Sequence, residues 1–423
     1  MDMIRNIFAV PELRNKILFV LALLVVYRFA ANIPLPGVDI LRVQELFESN
    51  QLLGLLNLFS GGGLANISIV LLGVGPYITS SIIMQVLTMV VPQLEQMYKE
   101  EGEAGRQKFT MITRVITVPL AILQTFGMIS LLKSQQILTN LTAYDTAVLV
   151  VIATAGTIFL MWLGELITEK KIGNGVSIMI FAGIVASLPS VLSRTFSTFD
   201  STQLFTYLVF IAIGLATVAG VVFVNEGQRN VPVSYARKSR SGSRQMGSAS
   251  THLPLRVNQA GVIPIIFAIS IVLFPSFVGS ALAGVDNPSI ASFGTMLAGL
   301  FQNQWIYGIT YFALVILFTY FYTAVVFDPK KISENLQKQG GFVPGIRPGQ
   351  RTEEYLARIT SRITLFGSLF LGLIAVLPIV VQGFTQIATL TIGGTSILIA
   401  VSVVVEMVKQ IEAQLVMRRY DAY

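Results

Sequence analysis

Ten apolar stretches, each near the ~20 residues a helix needs to cross a bilayer, set the outer limits on what this chain can fold into. They lie near 17–33, 70–91, 109–132, 146–167, 175–193, 203–224, 260–282, 305–327, 363–382 and 392–408. A single soluble core does not accommodate so many. Only 12% of the 423 residues are charged, roughly half the share of an ordinary soluble domain. In hydrocarbon each backbone N–H and C=O must be satisfied within the segment, so runs of this length and composition read as membrane helices. The first run is flanked by Arg5, Arg14 and Lys16 and ends in Ile-Pro-Leu-Pro-Gly (33–37). No obvious small-residue cleavage site follows it, so it reads as a first span and not as a signal peptide.

Lysine and arginine orient the runs. Connections on the side of the amino end hold 24 of the 29 basic residues, whereas those on the opposite side hold only Arg42, Lys133 and Arg194. By the positive-inside rule both termini are expected in the cytoplasm. An even span count suggests two halves, 1–195 with spans one to five and 196–423 with spans six to ten. Five is odd, so the halves would have opposite topology, an arrangement common in transporters and channels. No obvious sequence match links them, and the division rests on counting.

Two features break the regular pattern. The stretch from Leu52 to Val91 is too long for one span and is cut by Phe-Ser-Gly-Gly-Gly (59–63); glycines in series stop a helix. It reads either as a half-helix lining a cavity, tolerated at membrane depth only there, or as an interfacial helix in a long outer loop. The second feature is a pair of long basic connections. Residues 225–259 carry Arg229, Arg237, Lys238, Arg240, Arg244 and Arg256 against Glu226 alone, and 328–362 carries seven basic and four acidic residues. Such loops suit a large anionic partner, or they serve only to fix topology.

Catalytic chemistry is not legible. There is no phosphate-cradling GxxxxGK[ST], no HExxH and no GxSxG. Cysteine is absent and His252 is the lone histidine, which removes thiol nucleophiles and polyhistidine metal clusters. No cofactor is expected. Ionisable residues within the runs are few: Arg28, Arg114, Glu165 and Glu406. They form no obvious midplane relay of the kind coupled transporters use.

Seven segments together resemble the SecY family, the channel subunit of the bacterial protein-secretion translocon. They are IPLPG (33–37), FSGGGLANIS (59–68), GPYITSSI (75–82), GNGVSI (173–178), STHLPLRVNQAGVIP (250–264), PGIRPG (344–349) and GGTSILI (393–399). They stand in the family's order across essentially the whole chain. The resemblance implies an all-α membrane fold of ten helices, two inverted halves of five around an hourglass pore. It implies a plug helix over about 53–66, including Leu58, Phe59, Gly61, Gly62, Gly63 and Leu64. A pore ring would fall on Val74, Ile78, Val176, Ile180, Ile263, Ile266 and Ile399. By residue type alone these are indistinguishable from span packing, although Val74/Ile78, Val176/Ile180 and Ile263/Ile266 each share a helix face.

The same resemblance implies a lateral gate between the second and seventh spans, with Thr79, Gln85, Asn258, Ser270 and Phe274, helped by Ser80 and Thr88. Pro264 is expected to let the seventh span bend. Arg240, Arg244 and Arg347 would dock a SecA-like motor ATPase or the ribosome. Here the chain departs from the family, because Ser243 replaces the other arginine of the pair to which Arg244 belongs, and 239–249 is rich in serine and glycine. SecE-like and SecG-like subunits, signal-bearing precursors and the lipid bilayer complete the implied partners, and the plasma membrane the location. The implied function is a passive channel for unfolded chains that also releases apolar segments sideways into lipid, not an enzyme. A secondary transporter of a small solute, built from inverted repeats, is the alternative.

Overall fold

The computed structural model describes residues 10–35, 67–134, 138, 142–197, 204–235, 249–283, 285, 287–300, 303–385 and 392–421. The expected plug and the docking residues Arg240 and Arg244 lie outside them. Thirteen helices are described: α1 (Pro11–Ala31), α2 (Gly75–Val90), α3 (Pro92–Lys99), α4 (Gly102–Ser134), α5 (Ala143–Glu169), α6 (Gly175–Ser197), α7 (Leu204–Glu226), α8 (Ile263–Ala283), α9 (Pro288–Gly299), α10 (Gln304–Val326), α11 (Pro329–Lys338), α12 (Gln350–Thr385) and α13 (Ile392–Asp421). Three strands, β1 (Gln228–Tyr235), β2 (Ala249–Arg256) and β3 (Gly341–Phe342), accompany them.

Each of the ten apolar runs falls on one of ten helices: α1, α2, α4, α5, α6, α7, α8, α10, α12 and α13. Among the described residues, the helices of six of these runs are long and apolar enough to cross a membrane unaided, and α2 joins them when taken with α3, from which it is bent by 109°. The remaining runs lie on α1, which carries Glu12, Arg14 and Lys16 in its first turns and Arg28 in its last, on α6, and on α13, which carries Glu406, Lys409 and Glu412. The outward faces hold large apolar side chains such as Phe29, Val90, Phe205 and Phe223, which suit lipid. The chain is a membrane protein.

The route into α2 shows how the irregular second segment is held. Ile33–Leu35, at the foot of α1, meets the returning chain: the Leu35 N–H donates to the Ile67 carbonyl at 2.8 Å and the Ile69 N–H to the Ile33 carbonyl at 2.9 Å. Val70 to Val74 are wound in turns and buried, and Gly73 among them has a φ of 57°, which favours a residue without Cβ. Gly156 of α5 lies directly beneath Ile69, so that even a methyl group would strike the Ile69 carbonyl. Gly156→Ala is therefore expected to lower the melting temperature in detergent by several degrees, in line with the ~1–3 kcal/mol cost of overpacking. Gly214→Ala on α7, which meets only open space, should be neutral or slightly stabilising.

The small sheet was not expected. Strand order is β2-β1-β3, with Ser234 and Tyr235 of β1 opposite Phe342 and Gly341 of β3. The two long basic connections are thus one body, with a core of its own formed by Val231, Leu255, Val343, Leu356 and Ile359. A further correction concerns Pro264. Pro264 sits at the start of α8, where its missing N–H would have had no intrahelical partner; the interior proline is Pro275. The connection after α8 contains α9, capped by Asn287, with Gly279 and Gly294 letting the two backbones touch.

Candidate functional site: an apolar-floored vestibule

A cavity of about 910 Å³ opens on the face that carries the basic connections. Three helices build its floor. From α2 come Tyr77, Ile78, Ser81 and Gln85, spaced so that all lie on one helical stripe. From α6 come Asn174, Val176 and Ser177, and from α8 Ile263 and Ile266. Four residues of the expected ring, Ile78, Val176, Ile263 and Ile266, thus reach one cavity from three helices. Val74, Ile180 and Ile399 are almost fully buried in the same apolar cluster and do not line the cavity.

The segment GNGVSI explains the placement of Val176. Asn174 caps α6, its side-chain oxygen accepting from the Ser177 N–H at 3.1 Å. Gly175 packs backbone to backbone on Gly164 of α5, where no Cβ would fit. Its N–H donates at 2.9 Å to the Thr168 hydroxyl, which in turn donates to the Gly164 carbonyl at 2.8 Å. The first turn of α6 is therefore fixed against α5, and Val176 is turned to the vestibule.

The walls are polar. Arg114 of α4 and Glu165 of α5 form a two-pronged ion pair, with Nε–Oε1 and Nη2–Oε2 both at 2.7 Å. Read singly in the sequence these two looked like isolated charges in separate spans. Together they bridge two helices at the cavity wall, beside Glu103, Arg106 and Glu169. Bidentate pairing of this kind fixes geometry more than it adds stability.

The expected gate residues divide. Helix α8 packs directly against α2 as well as against α4, α9 and α10. Gln85 lines the vestibule, and its Oε1 is buried without a partner among the described residues. Thr79 accepts from Gln124 of α4 at 3.3 Å, and Ser80 donates to the Thr113 carbonyl of α4 at 2.7 Å, so both face α4. Gln124 had not been singled out; a polar residue in the middle of an apolar run was the available signal. Ser270 donates within its own helix to Ile266 at 2.9 Å, and Phe274 is half-buried. Asn258 stands elsewhere. It donates to Asn225 of α7 at 2.7 Å and to the Gly261 carbonyl at 3.1 Å, and Asn225 donates to Ser402 of α13 at 2.9 Å. With Gly261 at φ 62°, this cluster fixes the turn that launches α8.

Arg347 is exposed in the loop before α12. Gly345 and Gly349 flank it at φ 82° and 96°, Ile346 is tucked against the small core, and the Thr352 hydroxyl donates to the Arg347 carbonyl at 3.0 Å. A rigid loop thus presents one guanidinium to solvent. His252 lies exposed on β2 opposite Pro232 and has no chemistry built around it.

Known proteins resemble this chain along its whole length. The family model for SecY matches residues 68–408. The protein translocase subunit SecY of Streptomyces galbus is 45% identical over 434 residues, covering 98% of each chain. The subunit of the same name from Thermotoga maritima is 43% identical over 430 residues, covering 99% of this chain and 96% of that one. Among solved structures, one described as a protein conducting channel superposes with a TM-score of 0.65 at 17% identity, covering 94% of this chain and 91% of its own. Sec61 in a canine ribosome-channel complex from the endoplasmic reticulum gives 0.60 at 17% identity, with the same coverage. These structural likenesses establish the fold, and the close match over nearly the full length of the sequence relatives establishes the kinship: the chain belongs to the SecY family.

Proposed function

We propose that this chain is the passive channel through which unfolded secretory proteins cross the bacterial plasma membrane, and through which apolar segments leave sideways into lipid. The observation that carries the reading is the vestibule, wide and polar at its mouth and closed by aliphatic side chains from three helices. An apolar constriction excludes ions by dewetting yet yields around a passing chain of any sequence. Strong hydrogen-bonding groups in that position would grip some substrates and let ions through.

On this reading Val74, Ile78, Val176, Ile180, Ile263, Ile266 and Ile399 form the seal, and the segment about 53–66 plugs it from the outer side. The gate runs between α2 and α8, where Gln85, Ser270 and Phe274 lie. Residues 1–195 and 196–423 form the two halves, and both termini are cytoplasmic. The energy comes from outside the chain, from a SecA-like ATPase or a translating ribosome docked on the joined basic connections. SecE-like and SecG-like subunits brace the halves. The names of the relatives and the ribosome-bound state of the Sec61 neighbour support these assignments.

Because the native chain has no cysteine, a single Cys in place of Ile78 or Ile180 reports on the pore without background. With SecA, SecE and a stalled signal-bearing precursor, that thiol should crosslink to the precursor. A Cys in place of Phe205, on the lipid-facing side of α7, should not. No crosslink from either pore position during active translocation would remove the central claim, and labelling by a small transported solute instead would favour the transporter.

A further inference from the structure

From Pro288 to Phe327, forty consecutive residues carry no Asp, Glu, Lys or Arg. One span accounts for about half of that length, and α10 supplies it. The rest holds α9, which with 12 residues is about 18 Å long and too short to cross. Four residues separate it from α8 and four from α10. Both neighbours are membrane helices, so both ends of α9 are held at one membrane face, the one opposite the basic connections. Its course is fixed as well. A Cβ on Gly279 of α8 would strike Gly294 and Ala298, and one on Gly294 would strike Gly279 and Ala283. These contacts run antiparallel, with small residues four apart on each helix, the spacing that lets membrane helices approach closely. The second half of α9 therefore lies alongside the last turn of α8.

The sides of α9 differ. Gly294 and Ala298 meet α8. Ser292 and Thr295 are exposed, their hydroxyls donating to the Ser289 and Ser292 carbonyls at 3.0 and 2.9 Å. Ile290, Phe293, Met296 and Leu300 make an exposed apolar stripe at three- and four-residue spacing, with Phe293 55% and Met296 68% exposed. Shortly beyond it Trp305, Ile306 and Ile309 of α10 are exposed too, and tryptophan favours the edge of a bilayer. Helix α3 follows α2 as α9 follows α8 and shows the contrast: it carries the Glu95–Lys99 ion pair at 2.9 Å, as a helix in water does. A charge-free helix with one apolar and one hydroxyl-bearing side, tethered at both ends to a membrane face, suits the boundary between acyl chains and water. Its ends are satisfied within the protein. The Asn287 side chain accepts from the Ser289 N–H at 3.1 Å, and Asn303, in the turn that follows, accepts from the Trp305 and Ile306 N–H groups at 3.0 and 3.5 Å.

We propose that α9 is an interfacial helix: it sets Ile290, Phe293, Met296 and Leu300 into the acyl chains of the leaflet opposite the basic connections and so pins the end of α8 to the bilayer surface. This placement needs only that the chain sits in a membrane, not that it conducts proteins. The native chain has no cysteine, so single spin labels report on each side of the helix. Phe293→Cys, Met296→Cys, Ser292→Cys and Thr295→Cys, all at exposed positions, are labelled in the full chain and reconstituted in liposomes of phosphatidylethanolamine and phosphatidylglycerol. Collision with oxygen, which partitions into hydrocarbon, is compared with collision with a water-soluble nickel chelate. Labels at 293 and 296 should favour oxygen, and the order should reverse at 292 and 295. A preference for nickel at 293 and 296 overturns the proposal, because the stripe then faces water. Shielding of those two labels from both reagents also overturns it, since a second copy or another part of the chain then lies over α9. So does an equal preference for oxygen at all four positions, which would place the helix wholly within hydrocarbon.

Discussion

Ile78→Asn is expected to raise ion conductance of the reconstituted channel tenfold or more and to let precursors with defective signal sequences cross. Ile78 is 4% exposed and forms part of the vestibule floor, one helical turn from Val74. Two effects add. Exchanging the aliphatic side chain removes about 2–3 kcal/mol of apolar burial, which loosens the packing that holds the floor shut. The amide that replaces it offers hydrogen bonds to water in a constriction whose exclusion of ions depends on offering none. At about 1.4 kcal/mol per factor of ten, even part of this energy shifts the closed state by an order of magnitude. Ile399→Asn, buried on α13, should act in the same direction, and Ile78→Val should remain close to the native channel. Planar-bilayer conductance and translocation of a signal-deficient precursor measure the two effects. If both stay at native levels in Ile78→Asn, that residue does not belong to the seal.

Arg347→Glu should reduce motor- or ribosome-driven transport by between about thirtyfold and a few thousandfold, while the chain inserts and folds normally. The magnitude follows from reversing a charge at a complementary interface, where losing a close pair costs roughly 2–5 kcal/mol. Folding is spared because the loop is shaped by its backbone. Gly345 and Gly349 supply the left-handed turns, Ile346 anchors the small core, and Thr352 bonds the carbonyl of residue 347, which the substitution keeps. Unaltered yield and melting temperature with impaired precursor transport is the expected pattern. Transport at the native rate would reduce the loop's role to setting topology.

Much of this arrangement was legible in the sequence, for reasons of scale. A membrane helix announces itself through some twenty consecutive residues, so all ten runs coincide with helices. The resemblance motifs also carried local geometry: the second glycine of GNGVSI marks the α5–α6 contact, and the glycines of PGIRPG mark the turns around Arg347. What stayed hidden depends on partners distant in sequence. Arg114 and Glu165 are unremarkable apart and a bidentate pair together. Thr79 and Ser80 looked like gate residues, but Gln124 and the Thr113 carbonyl turn them to α4. Asn258, on the sequence of α8's approach, is bound instead to α7, with α13 one bond further on. Pro264 was misjudged because its effect depends on where the helix begins, and helix boundaries are the least certain part of any reading from sequence.

The sheet that unites the basic connections also orders events in time. Strand β3 pairs with β1 across the whole of α8, α9 and α10 in the sequence, so the last strand cannot be laid until those helices have been synthesised. Contacts so far apart along a chain form late, because loop closure must precede them. A nascent copy of this protein with seven of its spans in place has the β1–β2 hairpin and lacks its third strand and the α12 side of its core. The three-stranded body on the basic face is therefore finished only when the eighth span and the start of the ninth have emerged, and a half-made copy presents that face without its third strand.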